Sequence, residues 1–538
     1  MAKVIPVTVI QSTVKQSKMR RTSVSIMACL LYGISGFSQH GVGPLWGEEV
    51  LLPISNSMRK QRGVLYNNMA VLPSGRICVS TTETNPGNTG LPLGQFLCYS
   101  DDGGAHWSAP AALLTPKLFP GGNGVKLVAG SGDSLFVIWS AVNPPVVFLT
   151  ILDRDFQILK DTIRVANKQL HGNFATHFTS DRYGRLHLMW HEGNTNSPQT
   201  AEAFYSRSLD RGLHWETVQP LSRADGRHSA FPHADFDVAG DTLAIPWRDS
   251  VQGNNWDIQM VYSTDGGASW SQARTVVASG GADWDPALLI DPYGRMHLFY
   301  HLYPQGDPFW GAQVRYTYSD DLGSSWQLPV DPSGGQLSAA GMRSQLVEGL
   351  RYSPYTQTLW LSWKDERDFD PATGHVAGDM MVAQSKDRGQ HWSAPEFATD
   401  RGDSTLGFKA AALLPDGSYC VNYEIISPGD INDPNGFLRV YFRKRQHTIT
   451  GADIDAPGLT QTWNFPNPVR GSTLPTLVNE EHSPVFISVF SLSGQQLAAA
   501  EIQPGAAWSF PPLLPGEYLL RWTSGNSRGQ TLRFASID

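Results

Sequence analysis

An all-β fold built from repeated units is what this sequence predicts, and three observations carry that prediction. The octet Ser-x-Asp-x-Gly-x-x-Trp occurs five times, at Ser100 to Trp107, Ser208 to Trp215, Ser263 to Trp270, Ser319 to Trp326 and Ser385 to Trp392, each time after an apolar, strand-like run. A second pattern recurs between the octets: a strand, a tight turn, then a strand ending in an aromatic residue and polar groups. Its seven copies are Gly75 to Glu83, Gly132 to Ser140, Gly184 to Glu192, Gly240 to Asp249, Gly294 to His301, Thr356 to Glu366 and Gly417 to Glu424. Composition agrees: 52 Gly and 36 Pro with only 17% charged residues describe a turn-rich β protein, and 538 residues exceed one ordinary domain.

The octet has its own physical logic. An Asp accepts hydrogen bonds from backbone N–H groups two or three residues on, a Gly supplies positive φ, and the Trp folds back over the hairpin. These residues are scaffold. The octet resembles the Asp-box, or bacterial neuraminidase repeat, of sialidases and related β-propellers. That resemblance implies a turn between the third and fourth strands of each blade, on the face away from the ligand pocket. Seven repeat units favour a seven-bladed propeller over residues 40–447, with six blades, the sialidase number, as the alternative. Leu45 to Ile54 is the candidate strand to pair into the last blade and close the ring.

The flanking segments read differently. Lys15, Lys18, Arg20 and Arg21 precede an apolar run from Val24 to Ile34, followed by Ser35, Gly36, Ser38 and Gln39. The run is too short to span a bilayer permanently, so residues 1–39 are expected to be an export signal, with Met19 an alternative start, and no transmembrane segment remains in the mature chain. Residues 448–462 form a polar linker. Trp463-Asn464-Phe465-Pro466-Asn467-Pro468-Val469 then opens a final segment whose strands alternate with Gly and Pro turns, including Ser493-Gly494-Gln495 and Pro515-Gly516-Glu517-Tyr518. Residues 463–538 resemble the C-terminal sorting domain of the type IX secretion system. That implies a small Ig-like β-sandwich, recognition by the secretion machinery, and a secreted or outer-membrane surface location. Cys78, Cys98 and Cys420 remain after the signal, and the first two lie on consecutive strand-like runs, where a bridge and two buried thiols are both open.

Function is expected on the face opposite the octets, where second strands end and first strands begin. A net charge of −8 offers no basic field, so nucleic acid is disfavoured. Second-strand ends supply His191, Glu192, Arg248, Asp249, Arg367, Tyr423 and Glu424; first-strand starts supply His233, Trp284, Asp285 and Arg343. Mixed carboxylates, imidazoles and guanidinium groups beside aromatic rings suit a glycan, with carboxyl groups doing acid–base work. The sialidase resemblance implies three Arg gripping a carboxylate, a Tyr nucleophile paired with a Glu, and an Asp acid/base. Arg248, Arg343 and Arg367 are the candidate clamp, with His191, His233 and Trp284 as further binding residues. Tyr423 with Glu424 or Glu192 is the candidate nucleophile pair, and Asp249 or Asp285 the proton donor. Adjacent Tyr423 and Glu424 point to opposite faces of a regular strand. The Arg-Ile-Pro motif of sialidases is absent: Arg59 and Arg62 lack it, and Arg76-Ile77 runs into Cys78. No zinc spacing and no Gly-x-Ser-x-Gly elbow occurs, so neither metal nor cofactor is expected, and His187 and His297 read as packing residues. The alternative to a glycoside hydrolase is a non-catalytic propeller that binds glycan or protein.

Overall fold

The computed structural model describes most of residues 41–446, apart from several loops, and the strands between 469 and 537. The export signal, the linker, the opening of the sorting segment, Arg343 and Arg367 lie outside the described residues. Among the described residues the fold is all-β, an antiparallel propeller with a single short 3-10 turn at Ser131–Asp133. Five of its sheets are separate blades of four or five strands; a sixth sheet has eight strands, from Ser229–Ala230 to Gln313–Ser319. The two halves of the eight-stranded sheet meet through one parallel bridge, Trp256 to Ala282.

Each second strand repeats one burial logic. The fifth residue, Trp139, Trp190, Trp247, Tyr300 or Tyr423, and in the strand Thr358–Asp365 the sixth, Trp363, is at most 1% exposed and packs between blades; Thr81 holds the place in the first blade. Alternation then turns the sixth residue towards the following unit and the seventh towards the preceding one. In the strand Leu243–Ser250, Ala244 packs with Leu288 and Leu298 of the next unit, whereas Leu243, Ile245 and Trp247 pack with Met189 and Tyr205 of the blade before.

The octets form stapled turns. Ser100 Oγ donates to Asp102 and accepts from the Gly104 N–H, Asp102 Oδ1 accepts from the His106 N–H at 2.9 Å, and Trp107 Nε1 donates to Gly104 O at 3.0 Å. The Asp therefore reaches four residues on in every copy, one residue further than local Asp geometry alone suggested. The octet Gly is also where neighbouring units meet. A methyl at Gly104, Gly212, Gly267, Gly323 or Gly389 would collide with Phe442, Leu149, Tyr205, Met260 or Tyr316, each on the third strand of the preceding unit.

The ring is closed at its ends. Val50–Leu51 pairs antiparallel with Tyr441 and Phe442, Trp46 bridges to Arg445, and Asn422 of the last blade donates to Asn68 of the first. The expected closing strand thus lies where the run Leu45 to Ile54 placed it. On the octet face, arginines pin unit to unit: Arg76 joins Asp101 to Asp155, and Arg295 joins Asp320 to the Arg388 carbonyl.

Two buried relays repeat the same chemistry. His187 Nδ1 accepts from Tyr205 at 2.8 Å while Nε2 faces Asp181 at 3.4 Å; His297 does the same with Tyr316 at 2.6 Å and Asp291 at 3.3 Å. Both imidazoles are fully bonded core groups. Cys78 and Cys98 are free and buried. Cys98 stands opposite Val79, so Cys78 faces the cluster with Leu97 and Leu127 while Cys98 faces the one with Val440 and Phe442. They cannot face each other, because register puts them on opposite sides of one sheet.

In the C-terminal segment, Val469–Arg470, Gln530–Ile537, Gly516–Ser524, Val485–Ser491 and Gln496–Ile502 form a five-stranded sheet in that order, with Thr476–Val478 paired separately to Ala507–Ser509. Among its described residues, Ile487, Val489, Ile502 and Leu520 are buried and apolar.

Candidate functional site

Arg248, the sixth residue of its strand, extends towards the strand Ala282–Ile290. Its guanidinium lies 3.7 Å from the Trp284 ring centroid and 5.1 Å from that of Trp256, and Nη1 donates to Asp285 Oδ1 at 3.3 Å. Sequence reasoning named Arg248, Trp284 and Asp285 separately; the fold brings them into one cluster. Asp285 is held there by an unusual backbone. Its φ is +47°, it precedes Pro286, and the ladder bulges between Trp284 and Ala287. A left-handed conformation before proline is strained for a residue with a side chain, and such strain gathers at functional sites.

Aromatic rings wall the cluster. Trp256 meets Trp284 edge-on at 5.9 Å, Trp284 meets Tyr303 at 5.7 Å, His228 meets Trp256 at 5.4 Å, and His191 approaches His228 at 6.3 Å. His301 stands opposite Trp284 in register. Burial pushes the imidazoles of His228 and His301 down to about 4, the Arg248 charge adding to the effect at His228 and the Asp285 carboxylate opposing it at His301. Both are neutral at physiological pH. Trp284 Nε1, His228 Nδ1 and His301 Nε2 are buried without a hydrogen-bond partner among the described residues. Three such atoms around one guanidinium are uncommon in a core, where buried polar groups find partners.

The other side of the same strand carries carboxylates. Asp249 accepts from Ser229 Oγ at 2.6 Å and stands directly opposite Asp257 across the hairpin. Burial raises both carboxyls, opposed at Asp249 first by the Ser229 hydrogen bond and at Asp257 by Arg227. Glu202, bonded by Ser222, is pushed up to about 7 by burial, and Asp283, bonded by Ser279, to about 6. Paired carboxyls with raised affinity for protons are the chemistry of a general acid.

The remaining candidates sit elsewhere. Glu192 is buried and accepts from Trp190 Nε1 at 2.7 Å. His233 lies against His177, with ring centroids 4.0 Å apart. Tyr423 is fully buried in the cluster of Trp46, Trp360 and Val421, and its hydroxyl donates to Glu49 at 2.6 Å. It occupies the fifth-residue packing position between blades. Glu424 is buried on the opposite face of the same strand. Sequence reasoning passed over His228, Trp256, Asp257, Glu202 and Asp283; only Asp257 had a usable signal, its symmetry with Asp249 about the intervening hairpin. Among the described residues no group of three or more His, Cys, Asp or Glu is placed to hold a metal ion, and no helix is long and apolar enough to cross a membrane.

The BNR repeat-like domain family matches residues 241–349, the stretch that holds most of this cluster. No curated protein matches the chain in sequence. Solved structures similar to it include a family PL25 ulvan lyase (11% identity, TM-score 0.45, covering 70% of this chain and 95% of the lyase). Another is the NanB sialidase of Streptococcus pneumoniae (12%, 0.38, 74% and 70%), and a third the leech intramolecular trans-sialidase (13%, 0.40, 74% and 70%). This chain carries a BNR repeat-like domain in an all-β propeller whose structural neighbours include sialidases.

Proposed function

We propose that this chain is an exported, glycan-acting propeller enzyme, sialidase-like in scaffold, that cleaves glycosidic bonds with carboxyl groups at the seam around the strand Leu243–Ser250. The observation that carries the reading is Arg248, stacked on Trp284 and held by Asp285 amid three buried polar atoms without partners among the described residues. Indole faces bind sugar rings, and a fixed guanidinium binds a hydroxyl or an acidic group. Asp249 and Asp257, their carboxyls raised by burial, supply the proton to the leaving oxygen and the base that activates water. Tyr423, fully buried between blades, takes no part in this reading.

The eight-stranded sheet is read as two blades sharing one bridge, which gives seven in all. The export signal at 1–39 and the sorting domain at 463–538 are part of the proposal and direct the enzyme to the cell surface; the motifs and the all-β strands of 469–537 support them. A second reading, a non-catalytic glycan-binding propeller, is favoured by Asp285 already neutralising Arg248. The deciding test gives the mature chain an α-linked fluorogenic sialoside and a panel of neutral and acidic polysaccharides, and reads released fluorophore and new reducing ends. Turnover that falls at least about 100-fold in Asp249→Asn supports hydrolysis. Saturable binding without turnover moves the protein to the second reading.

A further inference from the structure

Asp249 and Asp257, on the strands Leu243–Ser250 and Trp256–Ser263, are direct partners across their hairpin. Facing residues on neighbouring antiparallel strands hold their Cβ atoms about 4.5–5.5 Å apart on one side of the sheet, and an Asp carboxyl lies one bond further out. That spacing matches the roughly 5–5.5 Å between the two carboxyls of a retaining glycosidase. It falls short of the roughly 6.5–9.5 Å that leaves room for the water of an inverting one.

The two carboxyls are held differently. Asp249 is buried, its Oδ1 accepts from Ser229 Oγ at 2.6 Å, and Arg227 Nη1 lies 3.8 Å from its Oδ2. Both contacts favour the charged form. Oδ2 accepts no hydrogen bond among the described residues and is the oxygen left to react. Asp257 is half-buried and accepts no hydrogen bond among the described residues, so only the Arg227 charge offsets the burial that favours its proton. An oriented carboxylate is a nucleophile, and a carboxyl that keeps its proton is an acid.

A charged nucleophile also selects the sugar. A sialoside carries a carboxylate on its anomeric carbon, and an Asp attacking there would meet a like charge at bonding distance. Tyr423, the neutral alternative, is buried between blades. Arg248, the one described guanidinium of the candidate clamp, is already paired with Asp285 at 3.3 Å.

We propose, resting on the hydrolytic reading above, that Asp249 is the nucleophile and Asp257 the acid and base of a retaining hydrolase. Its substrates are glycosides of aldoses, whose anomeric carbon bears hydrogen instead of a carboxylate. Asp249 Oδ2 bonds to the anomeric carbon as the glycosidic C–O bond breaks; the leaving oxygen keeps that electron pair and takes the Asp257 proton. Water then attacks the same carbon, Asp257 takes its proton, and the ester bond breaks to return the Asp249 carboxylate.

The test gives the mature chain umbelliferyl glycosides of glucose, galactose, mannose and sialic acid beside the polysaccharide panel, with product configuration read by proton NMR before mutarotation. Turnover of an aldoside or a polysaccharide with retained configuration is expected, with the sialoside inert. A deoxyfluoro analogue of the sugar cleaved should leave a covalent adduct on the peptide holding Asp249. Asp249→Asn, which keeps the shape of the side chain, should lose at least about 100-fold in turnover, and azide should restore Asp257→Ala at least about tenfold on the aryl substrate. Circular dichroism shows that the variants are folded, and the adduct needs no variant. Inverted product, an adduct away from Asp249, or a sialoside cleaved faster than every aldoside overturns the proposal and leaves the hydrolytic reading standing. No turnover of any substrate overturns both.

Discussion

Replacing Gly389 with Ala tests the claim that the octet glycines are the contact points between units. Gly389 has φ +85°, and an added methyl would overlap the Tyr316 hydroxyl outright, with Tyr316 Cε1 only 2.7 Å away. Three costs follow. The left-handed conformation alone costs a β-carbon about 1–2 kcal/mol. Moving a fully packed Tyr adds about 1–3 kcal/mol of overpacking. Displacing its hydroxyl strands His297 Nδ1, fully buried, for about 1–3 kcal/mol more. Gly132 provides the control, because it has φ +65° with nothing within 4 Å of the added methyl, so Gly132→Ala carries the first cost alone. Urea unfolding followed by Trp fluorescence should place Gly389→Ala at least about 2 kcal/mol below Gly132→Ala, the smallest sum of the second and third costs. Equal losses within about 0.5 kcal/mol would refute the interlocking of octet turn and neighbouring strand.

Tyr423→Phe should leave any glycan turnover unchanged while lowering stability by about 1–3 kcal/mol, since it strips a hydrogen bond from Glu49; a fall in turnover would return the Tyr to the mechanism. Arg248→Lys should weaken glycan binding about tenfold or more, because a point charge cannot stack on Trp284 and pair with Asp285 together; unchanged affinity in a binding titration would remove Arg248 from the site. The three thiols of the mature chain, Cys78, Cys98 and Cys420, should react with a thiol reagent only after unfolding, without prior reduction. His301 sets a pH dependence. Burial lowers its folded value to about 4, so the unfolded state binds its proton near 6.5 and the folded state does not until about 4. Its contribution to stability is present above 6.5 and is lost as pH falls towards 4; urea midpoints across that range should fall less steeply in His301→Gln than in wild type.

The propeller was legible because its signals are local. Each octet holds its Ser, Asp, Gly and Trp within eight residues, and its turn forms from those residues alone. Ring closure was also readable, since only an apolar run outside the repeats could complete the last sheet, and Val50–Leu51 does so. The cysteines misled because consecutive strands suggest proximity, while the face depends on register, and one residue of offset reverses it. Tyr423 misled because a polar tip near a strand end resembles a site residue. Aligning the second strands by their first residue would have placed it beside Trp139, Trp190, Trp247 and Tyr300, all buried. The loop that brings His228 against the strand residue Trp256 has no such repeat to align.

That alignment also shows why no motif marks the chemistry. In a second strand the fifth residue fills the core between units, the sixth reaches forward and the seventh reaches back. A site at the mouth is therefore composed across seams. Arg248 comes from one unit, Trp284 and Asp285 from the next, and His191, beyond His228, from the one before. Side chains from separate repeats converge only when every unit between them has folded and turned by its proper angle. The positions free to change chemistry are then the two that follow that core residue, which read, in five of the strands, His191-Glu192, Arg248-Asp249, His301-Leu302, Lys364-Asp365 and Glu424-Ile425. The scaffold repeats and these pairs do not, so substrate choice in this fold can shift one seam at a time without disturbing the turns that hold the ring.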